Sequence, residues 1–265
     1  MKKALCCVAF LVLAAQVPLW CYDQSPSSWQ VVPECIWAPA TGGGTWVTEI
    51  QITTFATCTG INVYFFNVDG YRGPFTLYGS LSQWYSIRYS NILQSIDALD
   101  PGVYNYYGKV GAVWFEALGG TIEVQAKTVN GNYGKTFPSL GVVESNSVGT
   151  GRPMVIQDLV QTSTYRTFVG AFNTSNSTTF VVTFRIISAS NTTVGVDIVK
   201  TMAPLSYISF NPFVEAGVGS GTYSNCWLYI FATSGDATTR GVMCFGSIAN
   251  NYTNDTYALI PRMFN

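Results

Sequence analysis

The sequence predicts an all-β protein: two tandem antiparallel β-sandwich domains, Ig-like or jelly-roll-like, related by internal duplication. Composition is the first reason. Only 10% of the 265 residues are charged while 15% are aromatic, and Thr, Ser, Asn and Gly fill much of the rest, which suits pleated sheet better than helix. Short apolar runs separated by turn residues are the second reason. The third is a repeat. Trp46-Val47-Thr48 and Tyr165-Arg166-Thr167 each open a strand-like run, followed by Ile61-Asn62-Val63 and Phe180-Val181-Val182; 165 minus 46 and 180 minus 61 both give 119. Thr136-Phe137-Pro138 answers Thr256-Tyr257-Ala258 at 256 minus 136, or 120. A register held over so much of both halves sets the domain count at two.

Residues 1–21 read as a secretory signal peptide. Lys2-Lys3 precedes an apolar run from Ala4 to Ala15 with small residues near its end, too short to span a bilayer as a helix. Cleavage is expected between residues 15 and 21. Residues 22–30 form a polar lead-in, expected to be extended and loosely held. The first copy covers residues 31–140, residues 141–152 form a linker flexible by composition, and the second copy covers residues 153–265. Without Lys2 and Lys3 the chain keeps 11 basic residues of its 13 against 14 acidic ones, and no basic block remains. Nucleic acid and anionic membrane surfaces are therefore not expected partners.

Within the copies, Ile61 to Val68 ends at Asp69-Gly70, a hairpin signal because both residues tolerate positive φ. Asn91 to Leu99 is the one stretch suited to a short helix, and Asn211-Pro212 interrupts its counterpart. Leu118-Gly119-Gly120-Thr121 and Ser234-Gly235-Asp236 mark matching hairpin turns. In copy one that hairpin sets Ile122, Val124 and Ala126 opposite Ala117, Phe115 and Val113 on a core face. Trp114, Glu116, Glu123, Gln125 and Lys127 then form a solvated outer face. Moving by 120 sends Trp227, Tyr229, Phe231, Met243 and Phe245 outward together in copy two, an apolar face large enough to mark an interface. The first domain or the lead-in could equally cover it, or a one-residue register slip could turn it inward.

Exported cysteines tend to pair. Cys226 and Cys244 are equidistant from Gly235, so a hairpin turning there would bring them together as a disulfide. Cys35 with Cys58 is a second pairing, on proximity, leaving Cys21 unpaired or lost with the signal.

The chain contains no histidine, which removes Ser-His-Asp and Cys-His catalysis and histidine-ligated metals. Gly42-Gly43-Gly44 precedes a strand and lacks the Lys-Ser/Thr of a phosphate loop. A carboxylate-based glycosidase is the one enzyme class its 14 acids leave open. No catalytic residue, metal site or cofactor is implied. Asp97 and Asp100 offer oxygen ligands to calcium, but Asp before Pro101-Gly102 is ordinary turn chemistry. Tyr104, Tyr106 and Tyr107 form a candidate ligand-binding cluster, since flat rings with polar tips suit sugars or a protein partner; filling the sandwich end is the alternative. Trp84, Tyr85 and Tyr89 share that ambiguity. Sequons at Asn173, Asn176, Asn191, Asn251 and Asn254 are within chance for this composition.

Trp46-Val47-Thr48-Glu49-Ile50-Gln51-Ile52 with Ile61-Asn62-Val63-Tyr64-Phe65, matched by Tyr165 to Gly170 with Phe180 to Phe184, resembles a loosely defined group of secreted bacterial proteins with tandem β-sandwich repeats. The resemblance implies export and a sandwich fold, and carries over no catalytic residue. The expectation is a secreted or cell-surface, non-enzymatic structural, assembly or adhesion protein. Its partner would be itself, as homo-oligomer or filament, or another surface protein, with no transmembrane helix after signal removal. A carbohydrate-binding module and an outer-membrane β-barrel are the alternatives, the latter suggested by aromatic content and Phe264 near the end. Barrel strands of about 9 to 11 residues with an apolar band all round fit the short runs poorly.

Overall fold

A computed structural model describes residues 25–40, 43–131, 133–142, 147–235, 240–253 and 256–263. The first half contains β1 (Trp29–Pro39), β2 (Thr45–Thr54), β3 (Gly60–Asn67), β4 (Gly70–Tyr78), β5 (Ser86–Tyr89), α1 (Ile92–Asp97), β6 (Lys109–Leu118), β7 (Ile122–Asn130), β8 (Tyr133–Pro138) and β9 (Leu140–Gly141). The second contains β10 (Met154–Gln161), β11 (Tyr165–Asn173), β12 (Phe180–Ile187), β13 (Ile198–Met202), β14 (Tyr207–Phe210), α2 (Pro212–Glu215), β15 (Tyr223–Ser234), β16 (Val242–Asn250), β17 (Thr256–Leu259) and β18 (Arg262–Met263).

One pairing plan serves both halves. The first half has arms β4-β3-β6-β1-β9 and β5-β2-β7-β8; the second has β13-β12-β15-β10-β18 and β14-β11-β16-β17. In the first half the ends of β1 and β2 also pair, from Trp37 with Val47 to Pro39 with Thr45, so its arms are one folded nine-stranded sheet. In the second half a tight turn, with Thr162 N donating to Tyr165 O at 2.8 Å, leaves two separate sheets. The described strands close into no barrel in either half, and no helix among the described residues is long and apolar enough to cross a membrane.

A buried threonine ties the arms together at the same place in each half. The first strand of each half is bulged, between Val32 and Cys35 and between Ile156 and Leu159, and a bulge leaves backbone groups without ladder partners. Thr48 Oγ1 accepts from Ile36 N at 2.8 Å; Thr167 Oγ1 accepts from Val160 N at 2.9 Å. Both threonines are fully buried, and each supplies an acceptor to an amide that burial would otherwise leave costly.

The period-two alternation of each strand then defines four layers. Ile50 and Ile52 on β2, with Ile122, Val124 and Ala126 on β7, meet Val63, Phe65, Val113 and Phe115 from β3 and β6 in the first core. The opposite face of β3 and β6 carries Phe66 and Trp114, which pack on Phe172 of β11 with ring centroids 4.5 and 5.8 Å apart. Phe137 meets Phe245 of β16 at 6.0 Å. These contacts merge the junction with the second half's interior into one continuous cluster. Gly170 belongs to this junction. A Cβ there would lie 2.0 Å from the Phe245 ring, so only glycine lets that ring lie across the strand.

Several expectations change. β6 and β7 are not hairpin partners, nor are β15 and β16: the first turn carries the chain from one arm of the folded sheet to the other, and the second carries it from one sheet to the other. The Gly119-Gly120 pair marks close backbone approach, because Phe55 N donates to Thr121 O and Thr59 N to Leu118 O across the turn. A Cβ on Gly120 would meet Cys58 Sγ at 2.5 Å. Asn211-Pro212 starts a helical turn instead of interrupting one. Asn211 caps α2 by accepting from Phe213 N and Val214 N, with Pro212 in the first turn, where its missing N–H costs nothing. Asn91 caps α1 in the same way, accepting from Gln94 N. The lead-in is held at its C-terminal end, since Trp29 and Gln30 belong to β1 and Gln30 is fully buried. So is the linker's end: Val148 is buried and pairs with Val242. Residues 1–24 and 143–146 lie outside the described set.

Truncating Phe172 removes the ring that touches both Phe66 and Trp114. Phe172→Ala is expected to lose about 3–5 kcal/mol in urea titration, with tryptophan fluorescence and far-UV circular dichroism still giving coincident single transitions. A loss below about 1 kcal/mol would show that the junction contributes little.

Candidate functional site

A four-layer stack has two free end faces, and here their chemistry differs. The β5-β2-β7-β8 end carries Gln51, Gln125 and Lys127 exposed, with Glu49 and Glu123 half-buried among them. Arg88 and Glu49 form an ion pair there at 2.6 Å. The opposite end, the outer face of β13-β12-β15-β10, carries Trp227, Tyr229 and Phe231 at alternate positions of β15, each half-buried.

Those three rings form a row. Trp227 meets Tyr229 edge-on at 6.3 Å, and Tyr229 meets Phe231 at 5.3 Å. Across the ladder Arg185 pairs in register with Tyr229, and its guanidinium lies 5.6 Å from the Phe231 centroid. Asp197 holds that guanidinium bidentately, accepting at 2.8 and 2.6 Å. The pairing lifts Arg185 above its ordinary value and lowers Asp197 below its own, in each case chiefly through the hydrogen bonds. Val199, exposed on β13, extends the apolar surface. Sequence reasoning missed Arg185. The signal was present, because Arg185 stands 119 positions after Phe66, the residue that the first half buries in the junction.

Met243 and Phe245 do not join this row. With β15 and β16 in different sheets, the expected five-residue face divides. Met243 pairs in register with Phe172, and Phe245 with Gly170, so both face the first half and are buried. Trp114 likewise leaves its expected solvated face for the junction, being 3% exposed.

Cys226 and Cys244 both point into the second half's interior, but from opposite sheets. Cys226 pairs with Leu159 of β10 and Cys244 with Ala171 of β11. No disulfide joins the four described cysteines, at 35, 58, 226 and 244. Burial raises each above its ordinary value, most strongly at Cys35 and Cys244. Neither expected disulfide is therefore present. Cys21 lies outside the described residues.

The tyrosine cluster is a clamp. Tyr106 is fully buried and donates to Asp100 Oδ2 at 2.9 Å; burial first, and then that bond, push its hydroxyl well up. Tyr104 donates to Asp69 Oδ2 at 2.7 Å, and Lys109 pairs with the same oxygen at 2.8 Å. Arg72 lies 4.8 Å from the Tyr104 ring and 3.6 Å from Asp100. Of the three rings only Tyr107 is exposed, edge-on to Trp37 at 5.4 Å, so they present no joint platform. Trp84, edge-on to Phe55, and Tyr85 are exposed, while Tyr89 is half-buried. Asp100 is engaged by Tyr106 and Arg72, and no group of three or more His, Cys, Asp or Glu converges among the described residues. Asn173 is buried, its amide donating to three backbone carbonyls.

Compared with protein-family models and with curated proteins, the sequence matches none.

Two outcomes test this arrangement. Dithiothreitol is expected to leave Tm unchanged, whereas a native Cys226–Cys244 bond would contribute about 2–4 kcal/mol and its reduction would lower Tm. Tyr64, in the junction, donates to Glu116 Oε2 at 2.8 Å and is pushed up from 10.0 to about 12, first by burial and then by that bond. A folded-state value above the unfolded one gives stability that is complete below pH 10 and declines as pH rises towards 12. The urea midpoint should fall across that window, and fall less in Tyr64→Phe.

Proposed function

We propose that this is an exported, non-enzymatic protein that works by contact, in assembly or adhesion at a cell surface, and that its contact face is the Trp227-Tyr229-Phe231 row with Arg185. The supporting observation is the contrast between the two ends of the stack. One end is polar and charged; the other places three aromatic rings in line beside a guanidinium whose orientation Asp197 fixes. Trp, Tyr and Arg are the side chains that dominate binding energy in protein interfaces. A strand row supplies them on a rigid support, at little cost in conformational entropy. The resemblance to secreted tandem-sandwich proteins supports the same reading, as does the sequence of residues 1–21, which reads as an export signal.

A second copy of the chain is the partner the face fits first, because an aromatic row on a sheet face can pair with itself across a two-fold axis. Carbohydrate is the second, since ring faces aligned along a strand also suit stacking on sugars.

Light scattering on the mature chain over a wide concentration range tests the first partner. Self-association is expected for the natural sequence, and its loss, with Tm retained, for Tyr229→Lys combined with Phe231→Glu. A natural chain that remains monomeric throughout contradicts the self-association reading; saturable binding on a glycan array, removed by the same substitutions, would move the face to the second.

A further inference from the structure

The junction between the halves does not close along its whole length. Alternate residues of β11 face the first half: Phe172 and Gly170 lie where the layers touch, and Phe168 and Arg166 lie further along, where they part. The gap is a cleft of about 300 Å³, at the small end of the range for ligand sites, and at a boundary between structural units where such sites concentrate.

Its lining is not that of a packing defect. Lys135, on β8, has its side chain only 5% exposed and pairs with Glu34 at 2.5 Å; Glu34 rises from the bulge of β1. Ser247 of β16 donates to the other oxygen of Glu34 at 3.4 Å. Arg166 enters from the second half, donating to Asn251 and lying 5.3 Å from the Phe168 ring centroid. Ser209 adds a hydroxyl, and Trp46 and Phe168 supply aromatic wall.

Two cations against one carboxylate leave the wall with a net positive charge. A buried ammonium carries three donors and a guanidinium five, more than the Glu34 and Asn251 contacts use. Glu34 keeps lone pairs able to accept from ligand hydroxyls. An ion pair shielded from water is costly unless its remaining valences are met, and an occupant with both carboxylate and hydroxyl groups would meet them.

From this geometry we infer that the cleft binds a small hydroxylated carboxylate of about the size of one sugar acid. Its carboxylate faces Arg166 and Lys135, and its hydroxyls face Glu34, Ser209 and Ser247. The site is separate from the aromatic end face and stands whether or not that face binds anything.

Isothermal titration of the mature chain with D-glucuronate, with D-glucose and acetate as comparison probes, tests it. Glucuronate is expected to bind saturably and to raise Tm, while glucose and acetate bind at least about tenfold more weakly, each lacking one half of the recognition. Arg166→Gln should weaken glucuronate about tenfold or more with little change in Tm of the ligand-free protein, and Arg88→Gln, on the polar end face, should leave it unchanged. No saturable binding of glucuronate, equal binding of glucose, or full affinity in Arg166→Gln would each overturn the inference. Because Lys135→Met removes one partner of a buried pair and can unfold the chain, Arg166→Gln carries the test.

Discussion

Phe172 sits against both Phe66 and Trp114, and the arrangement of the rest follows from that contact. Each half is built from two arms, so each has two outer faces, and burying one outer face from each half turns two sandwiches into a single four-layer stack. The aromatic rings at this junction are in the same cluster as the second half's interior. The halves are therefore joined through packed side chains, with the described end of the 141–152 segment itself tucked in at Val148. The stack also decides what remains outside: one polar end, one aromatic end, and a cleft where the layers diverge.

Much of this was legible in the sequence, to differing depths. Strand alternation identified Ile122, Val124 and Ala126 as core, and the two halves pair their strands in the same order, with Thr48 and Thr167 bracing a bulge in each. What period-two reading cannot supply is which sheet a strand joins. A tight turn reverses the chain whether the next strand pairs with the last or crosses to the opposite sheet, and here it crosses. That one choice separates Cys226 from Cys244, sends Trp114, Met243 and Phe245 to the junction, and leaves Trp227, Tyr229 and Phe231 on the free end. Arg185 was visible only by comparing the halves position by position, and the Glu34–Lys135 pair not at all, since 101 residues separate its members.

The difference between the halves has a physical sense. Positions of equal rank in the two copies meet different surroundings, because the stack buries the β3-β6 face of the first half and the β11-β16 face of the second. Phe66 needs to be apolar, and its counterpart Arg185 does not. The β12-β15 face escapes burial, and there the chain keeps aromatic side chains where the opposite end keeps Glu, Gln and Lys. Rings on the free face of an end sheet take no part in the junction, which is why they are read as contact residues.

Hydroxyl-radical footprinting of the folded mature chain, read residue by residue by mass spectrometry, addresses this division directly. Rapid oxidation at Trp227, Tyr229 and Phe231, with Trp114, Phe172, Met243 and Phe245 protected until the protein unfolds, is the expected result. Oxidation of Met243 and Trp114 at rates matching Trp227 would mean that the junction is open in solution, and would contradict the four-layer stack on which the rest depends.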